Sequence, residues 1–163
     1  MSVNVSARSL LRTDFLSKLL RFIQESGIQT KQLRLEITES ILMDHVASKD
    51  ILIALRQHGI GLMIDDFGTG YSSLSYLQML PLDSLKIDRS FMELNDSNKQ
   101  IVSTIILLAQ NLGLDVVAEG IETVEQLEYL NQQSCYYGQG YLFSKPMPAH
   151  DIEQRFFLVS LLN

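Results

Sequence analysis

The chain has 163 residues, which suits one compact domain. Its apolar fraction of 46% excludes a disordered chain, and no apolar run approaches the ~20 residues of a membrane-spanning helix. The formal net charge of −6 argues against binding a nucleic-acid polymer, because such binding needs a positive field. With a single cysteine, the composition indicates a cytoplasmic domain that makes no membrane contact of its own, whether or not the protein carries an anchor elsewhere.

Short aliphatic or β-branched runs alternate along the chain with longer segments of helical periodicity. The runs predict strands at Val3–Ser6, Leu33–Thr38, Gly61–Asp66, Ser84–Asp88, Asp115–Glu119 and Gln139–Phe143. The other segments predict helices at Asp14–Ser26, Asp44–His58, Ser72–Met79, Asn98–Leu112, Thr123–Gln132 and Ala149–Leu161. This alternation implies an α/β fold with parallel strands, as an open sheet or a barrel. The first strand is followed by no glycine fingerprint, which disfavours a dinucleotide-binding open sheet.

Polar side chains that a packed interior would reject fall near the ends of all six predicted strands. They are Asn4, Glu36, Asp65 with Asp66, Lys86, Glu119 and Gln139. In a parallel barrel the C-terminal strand ends form one rim, where active sites are built. Carboxylate and amide oxygens suit Mg²⁺ or Mn²⁺, and carboxylates packed together without a cation would raise one another's pKa values. A lysine among them is suited to hold a phosphate oxygen.

Each of these residues also has a structural interpretation when it is taken alone. Asp65 and Asp66 are typical of a turn, and Glu36 of a solvated strand position. A lone lysine such as Lys86 is more often the partner in a structural ion pair. The recurrence of polar residues at the same place in six strands favours one shared site over six separate explanations.

Several short sequence strings occur in a fixed order along the chain. They are Asn4-Val5-Ser6, Leu35-Glu36-Ile37-Thr38-Glu39, Asp65-Asp66-Phe67-Gly68-Thr69-Gly70-Tyr71-Ser72-Ser73-Leu74, Leu85-Lys86-Ile87-Asp88, Ala118-Glu119-Gly120-Ile121-Glu122, and Gln139-Gly140-Tyr141-Leu142-Phe143 with Pro146 beyond it. Together they resemble the EAL domain family of bacterial signalling proteins, and the match extends over essentially the whole chain. The resemblance implies a modified TIM barrel that hydrolyses one phosphodiester bond of cyclic di-GMP, giving linear pGpG, with Mg²⁺ or Mn²⁺ as cofactor.

The same resemblance implies a role for individual residues. The implied metal ligands are Asn4, Glu36, Asp65, Asp66 and Glu119. Glu119, Lys86 and Asp66 would be catalytic, with Glu119 the candidate general base, and Gln139, Glu122 and Lys86 would contact the substrate. A loop containing Phe67, Gly68, Thr69 and Gly70, anchored by Glu39, would couple the metal site to a dimer interface.

The Glu-Ala-Leu string that gives the family its name does not occur in the 163 residues. The family pattern places it before Asn4, with one or two further strands. We therefore expect residues 1–163 to form a single, N-terminally truncated barrel domain with about six of eight strands, lacking one metal ligand. Its exposed edges near Val3–Ser6 and Gln139–Phe143 would invite pairing with another chain, which predicts a homodimer.

Two other functions are compatible with the sequence. The first is a binding module that senses cyclic di-GMP or a protein partner without catalysis. For the whole protein, the retention of so many polar residues at the strand ends argues against this function, because a receptor needs no complete set of metal ligands. For residues 1–163, the missing Glu-Ala-Leu segment argues in its favour. The second is an unrelated barrel metallohydrolase, against which the absence of a His-x-His pair at a strand end weighs.

Overall fold

Six parallel strands form one sheet in the computed structural model, which describes residues 1–39, 41, 48–70 and 74–157. They are β1 (Ser2–Asn4), β2 (Arg34–Thr38), β3 (Gly61–Phe67), β4 (Ser84–Ile87), β5 (Asp115–Glu119) and β6 (Tyr137–Gln139). Their order in the sheet is their order in the chain. With the helices that connect the strands, the sheet forms a half-barrel, which confirms the predicted α/β class and barrel-like architecture.

Seven helices are described, together with shorter helical turns. They are α1 (Ala7–Leu10), α2 (Phe15–Ser26), α3 (Ser48–Gln57), α4 (Leu74–Leu77), α5 (Asp96–Leu112), α6 (Val124–Gln132) and α7 (Ala149–Ile152). Turns of 3₁₀-helix cover Thr30–Gln32 and Arg89–Met92, and a π-helical turn at Glu153–Phe157 continues α7. Among the described helices, none has the length and apolar composition needed to cross a bilayer.

The apolar core lies between the sheet and its helices. Along β2, Leu35 and Ile37 are fully buried in this core, and Glu36 between them faces the other side of the sheet because successive strand residues alternate. Along β3, Leu62 and Ile64 occupy the core in the same way. The sheet therefore presents its polar residues on the face opposite to the helices.

Two observed boundaries differ from the predicted ones, and in both cases a capping residue marks where the observed helix begins. The first strand ends at Asn4 and not at Ser6, because the Ser6 hydroxyl accepts a hydrogen bond from the Ser9 N–H at 3.2 Å and caps α1. Helix α5 begins before the predicted Asn98, because Asn95 caps it. The predicted helix ends at Asp44, Ser72 and Leu161 lie outside the described residues.

The last strand was predicted wrongly at Gln139–Phe143. Strand β6 ends at Gln139, and the chain then turns, with the Phe143 N–H donating to the Gly140 carbonyl at 3.1 Å. Gly140 lies so close to the Ile121 backbone that any side chain there would collide with it. The Leu142 N–H donates to the Ile121 carbonyl at 3.0 Å, which holds the turn against the end of β5. The apolar run from Tyr141 to Phe143 therefore forms a turn beside the sheet.

Candidate active site

Lys86 lies at the centre of a buried ionic cluster on the polar face of the sheet. Its Nζ atom lies 3.0 Å from Glu36 Oε2, 3.2 Å from Asp65 Oδ1 and 3.4 Å from Glu119 Oε2. These side chains come from β4, β2, β3 and β5, so four strands converge on one ammonium group. Lys86 is only 4% exposed, and Glu36 and Asp65 are also buried.

The Lys86 ammonium is stabilised in its charged form. Burial by itself lowers its pKa, but the hydrogen bond that Lys86 donates to Glu36 and the charges of Asp65, Glu36 and Glu119 outweigh that effect and raise the pKa to about 12. At neutral pH one cation therefore faces several carboxylates, and the cluster retains an excess of negative charge.

A bulge in β3 brings both consecutive aspartates to this cluster. The register pairs Ile64 with Leu85 and Phe67 with Ile87, so β3 carries one more residue than β4 over the same span. The extra residue is accommodated at Asp65 and Asp66, and Asp66 adopts a left-handed backbone with φ of 55°. In a regular strand these side chains would point to opposite faces, whereas the bulge places oxygens of both near the same point.

The donor set fits a divalent cation. Carboxylate oxygens of Asp65, Asp66 and Glu119 all lie within 4.8 Å of one another. The pKa of Asp66 is raised by burial, then by the charges of Asp65, Asp88 and Glu119, and the Lys86 ammonium opposes this only in part. Hard oxygen donors under mutual repulsion are the ligands that Mg²⁺ and Mn²⁺ take in proteins.

The other predicted polar residues lie around this group. Gln139 donates from Nε2 to Glu119 Oε1 at 3.2 Å, which orients that carboxylate. Asn4 lies beside Glu36 in the β1–β2 register, at the same level of the sheet. Among the described residues, the carboxylates that lie close enough to share one cation are those of Asp65, Asp66 and Glu119, whereas the Glu36 carboxylate lies against Lys86. The roles of Asn4 and Glu36 as metal ligands stay predictions.

Glu39 contacts the loop that follows β3. Its Oε2 atom accepts a hydrogen bond from the Gly68 N–H at 3.1 Å, and a side chain at Gly70 would come within 3.0 Å of its carboxyl carbon. Thr69 closes the same loop by donating from Oγ1 to the Asp66 carbonyl at 2.8 Å, and Phe67 is buried. The predicted anchor thus contacts its loop, and the coupling of this loop to a dimer interface stays a prediction.

A cavity of 690 Å³ adjoins the cluster at Glu119. Its lining includes Glu122 and Gln139, to which the family resemblance assigned roles, and also Arg89 and Tyr141, to which it assigned none. A usable signal was present, since Arg89 follows the end of β4 and Tyr141 lies two residues beyond the polar end of β6. Both positions belong to the rim at the C-terminal strand ends.

Gly120 allows Arg89 to reach this cavity, so Gly120→Ala is expected to destabilise the chain by about 2–4 kcal/mol. Gly120 has φ of 77°, and an added Cβ would lie 2.5 Å from the Cβ of Arg89. Gly27→Ala is the matched control, because Gly27 has φ of 71° with nothing within 4 Å of the added atom. Urea unfolding should show a loss of only about 1 kcal/mol for the control. Equal losses in the two variants would show that the close approach to Arg89 has no energetic effect.

Comparison with known proteins matches the chain to one family. The family model for the EAL domain matches residues 1–146. The cyclic di-GMP phosphodiesterase NbdA of Pseudomonas aeruginosa is 44% identical over 158 residues, which are 94% of this chain and 20% of NbdA. The chain therefore spans about a fifth of the length of that relative.

Solved structures agree with the sequence match. The PaMucR phosphodiesterase in its c-di-GMP complex superposes with a TM-score of 0.89 at 41% identity, over 93% of this chain and 63% of that chain. BlrP1 of Klebsiella pneumoniae, in a manganese and cyclic di-GMP complex, gives a TM-score of 0.83 at 33% identity, over 89% of this chain and 38% of its own. This chain belongs to the EAL domain family.

Proposed function

We propose that the chain hydrolyses one phosphodiester bond of cyclic di-GMP, giving linear pGpG, with Mg²⁺ or Mn²⁺ at the carboxylates of Asp65, Asp66 and Glu119. The observation that carries this proposal is the convergence of those carboxylates with the buried Lys86 ammonium at the strand ends. The proposal is supported by the phosphodiesterase names of NbdA and PaMucR, and by the manganese and cyclic di-GMP complex of BlrP1.

Phosphodiester hydrolysis needs an activated water and a way to offset the negative charge of the phosphate. A bound divalent cation would neutralise charge on the non-bridging oxygens and favour deprotonation of the attacking water. It would also reduce the repulsion between a dianionic substrate and a chain of net charge −6.

The chain's own residues supply the remaining functions in this proposal. Lys86 is charged and lies among these carboxylates, so in this proposal its positive charge offsets negative charge that develops on the phosphate. Glu119 is the candidate base, since its side chain is 28% exposed and a water can reach it. Gln139 holds the Glu119 carboxylate in position through its amide. Water then adds to phosphorus as the bond from phosphorus to one ribose oxygen breaks. Glu119 accepts the proton of the water, and the released ribose oxygen takes up a proton from solvent to become a hydroxyl of pGpG.

The proposal is tested by incubating the chain with cyclic di-GMP and Mn²⁺ and separating the products by chromatography. We expect pGpG to form with Mn²⁺ or Mg²⁺, to be absent in EDTA, and to fall by a factor of about 10² or more in Asp65→Asn. Asp50→Asn is the matched control, because Asp50 is exposed in the first turn of α3 and does not belong to the carboxylates that lie close together. A folded chain that binds cyclic di-GMP without producing pGpG would favour the binding module and contradict the proposed hydrolysis.

A further inference from the structure

A second cavity, of 350 Å³, lies at the end of the sheet opposite to the candidate active site. Its lining includes the first residues of three neighbouring strands, Ser2 of β1, Arg34 of β2 and Gly61 of β3. The proposed hydrolysis uses only the other ends of these strands. This cavity is therefore a separate feature of the fold, and its volume is near the lower limit for small-molecule sites.

The lining of this second cavity is basic, although the chain as a whole is acidic. Among the described residues that form it, the cationic side chains of Lys31, Arg34 and Arg56 are accompanied by one carboxylate, that of Asp83. The net charge of the chain is −6, so a concentration of positive charge in one recess is unlike the rest of the surface. A recess lined by cations raises the local concentration of anions.

Asp83 compensates one of these cations and fixes its position. Its Oδ1 atom lies 2.8 Å from Arg56 Nη2, and its Oδ2 atom accepts a hydrogen bond from the Leu62 N–H at 2.7 Å. The carboxylate therefore holds the Arg56 side chain at the cavity wall. The positive charges of Lys31 and Arg34 have no such partner among the described residues.

Arg34 is held in place, but its guanidinium is left without an acceptor. Its side chain lies along Gly61, where an added Cβ would be 3.4 Å from Arg34 Cγ and 3.5 Å from Nε. The residue is half-buried, yet within the part of the chain that the structure describes its guanidinium makes no hydrogen bond and no salt bridge. A guanidinium carries five N–H donors, and withdrawing them from water without acceptors is unfavourable. A bound anion would supply those acceptors.

We propose that this second cavity binds a phosphate group: Arg34 donates to two of its oxygens, and Arg56 and Lys31 supply further positive charge. A planar guanidinium fork matches two oxygens of a phosphate, and several cations together suit a group that carries more than one negative charge. The volume admits free phosphate or the terminal phosphate of a small monoester. The site is independent of the proposed hydrolysis, because it uses none of the same residues.

The test is a titration of the isotope-labelled chain with inorganic phosphate, followed by NMR in metal-free buffer in which chloride keeps the ionic strength constant. We expect saturable shifts of the Arg34 Nε–H and the Gly61 amide, and binding that is about 10-fold or more weaker in Arg34→Met. Arg34→Lys keeps the charge but loses the fork, so it should recover only part of the affinity. Arg21→Met is the matched control, because it removes the same charge from an exposed arginine on α2. Thermal unfolding verifies that each variant is folded, and phosphate should raise the Tm of wild type more than that of Arg34→Met.

A second titration, with glycerol phosphate, distinguishes the two sources of the phosphate group. Tighter binding than that of inorganic phosphate would assign the site to a monoester, and equal or weaker binding would assign it to the free ion.

Several outcomes would overturn the inference. Shifts that do not saturate, or equal weakening in Arg34→Met and Arg21→Met, would show only a general attraction of anions. Full affinity in Arg34→Lys would contradict the contact of the fork with two oxygens. Saturable shifts confined to residues around Lys86 and Glu119 would place the anion at the candidate active site and leave the second cavity without a ligand.

Discussion

Lys86→Met is expected to abolish most of the activity and to destabilise the chain by about 3–5 kcal/mol. Glu36, Asp65 and Glu119 all lie within 3.4 Å of the Lys86 ammonium, so the variant leaves buried carboxylates without their cation. Turnover of cyclic di-GMP should fall by a factor of about 10²–10³, because the variant removes the positive charge that offsets developing negative charge at the site. Urea unfolding and the pGpG assay measure the two effects.

The stability loss in Lys86→Met should depend on pH and on metal. In wild type the pKa of Lys86 is raised from 10.5 to about 12, so its contribution is complete below 10.5 and is lost only as the pH rises through about 12. In the variant the unpaired carboxylates favour their protonated forms, so its deficit relative to wild type should shrink from pH 8 to pH 5. Added Mn²⁺ should reduce the deficit as well.

Lys18→Met is the control for this variant. Lys18 is half-exposed on α2 and pairs with Asp14 at 2.7 Å on the surface. Its replacement should change stability by about 0.5 kcal/mol or less, with little effect on turnover. A deficit in Lys86→Met that is no larger than in Lys18→Met, at every pH, would contradict the ionic cluster as described.

Glu119→Gln is expected to lower kcat for cyclic di-GMP by a factor of about 10²–10⁴ while the chain stays folded. The substitution keeps the shape of the side chain and its contact with Gln139, but it removes the group that accepts the proton. Because Glu119 also belongs to the metal-site carboxylates, the assay is run at saturating Mn²⁺ and substrate, which separates proton transfer from metal affinity.

Glu125→Gln is the matched control for Glu119→Gln, since Glu125 lies in the exposed first turn of α6. It should leave kcat within about 3-fold of wild type, as expected for a surface position. The equilibrium binding of cyclic di-GMP to Glu119→Gln should persist. A kcat close to that of wild type in Glu119→Gln would assign the base to another group.

Much of the fold could be predicted because parallel α/β architecture follows from local pattern. Aliphatic and β-branched runs between segments of helical periodicity predicted the first five strands close to their observed positions, and polar strand ends indicated one rim. The turn after Gln139 could not be predicted, since its apolar residues resemble a strand and the turn brings Gly140 against the backbone of Ile121. That contact joins residues far apart in sequence, which no local pattern contains.

Most residues of the site could be predicted from the sequence, but the way their side chains are arranged could not. Polar strand ends pointed to the residues around Lys86, but not to the hydrogen bond that directs Glu36 to the ammonium. The bulge at Asp65 and Asp66 depends on the pairing of β3 with β4, which is a tertiary feature. Arg89 was missed although it follows β4 at the rim, because its place above Gly120 is a tertiary contact that sequence position alone does not reveal.

The proposed divalent-cation site is tested most directly by Mn²⁺ binding to the isolated chain, measured by electron paramagnetic resonance of the free ion. We expect saturable binding that is weakened by about 10-fold or more in Asp65→Asn and Asp66→Asn, and left unchanged in Asp50→Asn. Such a result would place the cation at the carboxylates brought together by the β3 bulge and β5. Binding that is absent, or equally strong in all these variants, would contradict the metal site on which the proposed hydrolysis depends.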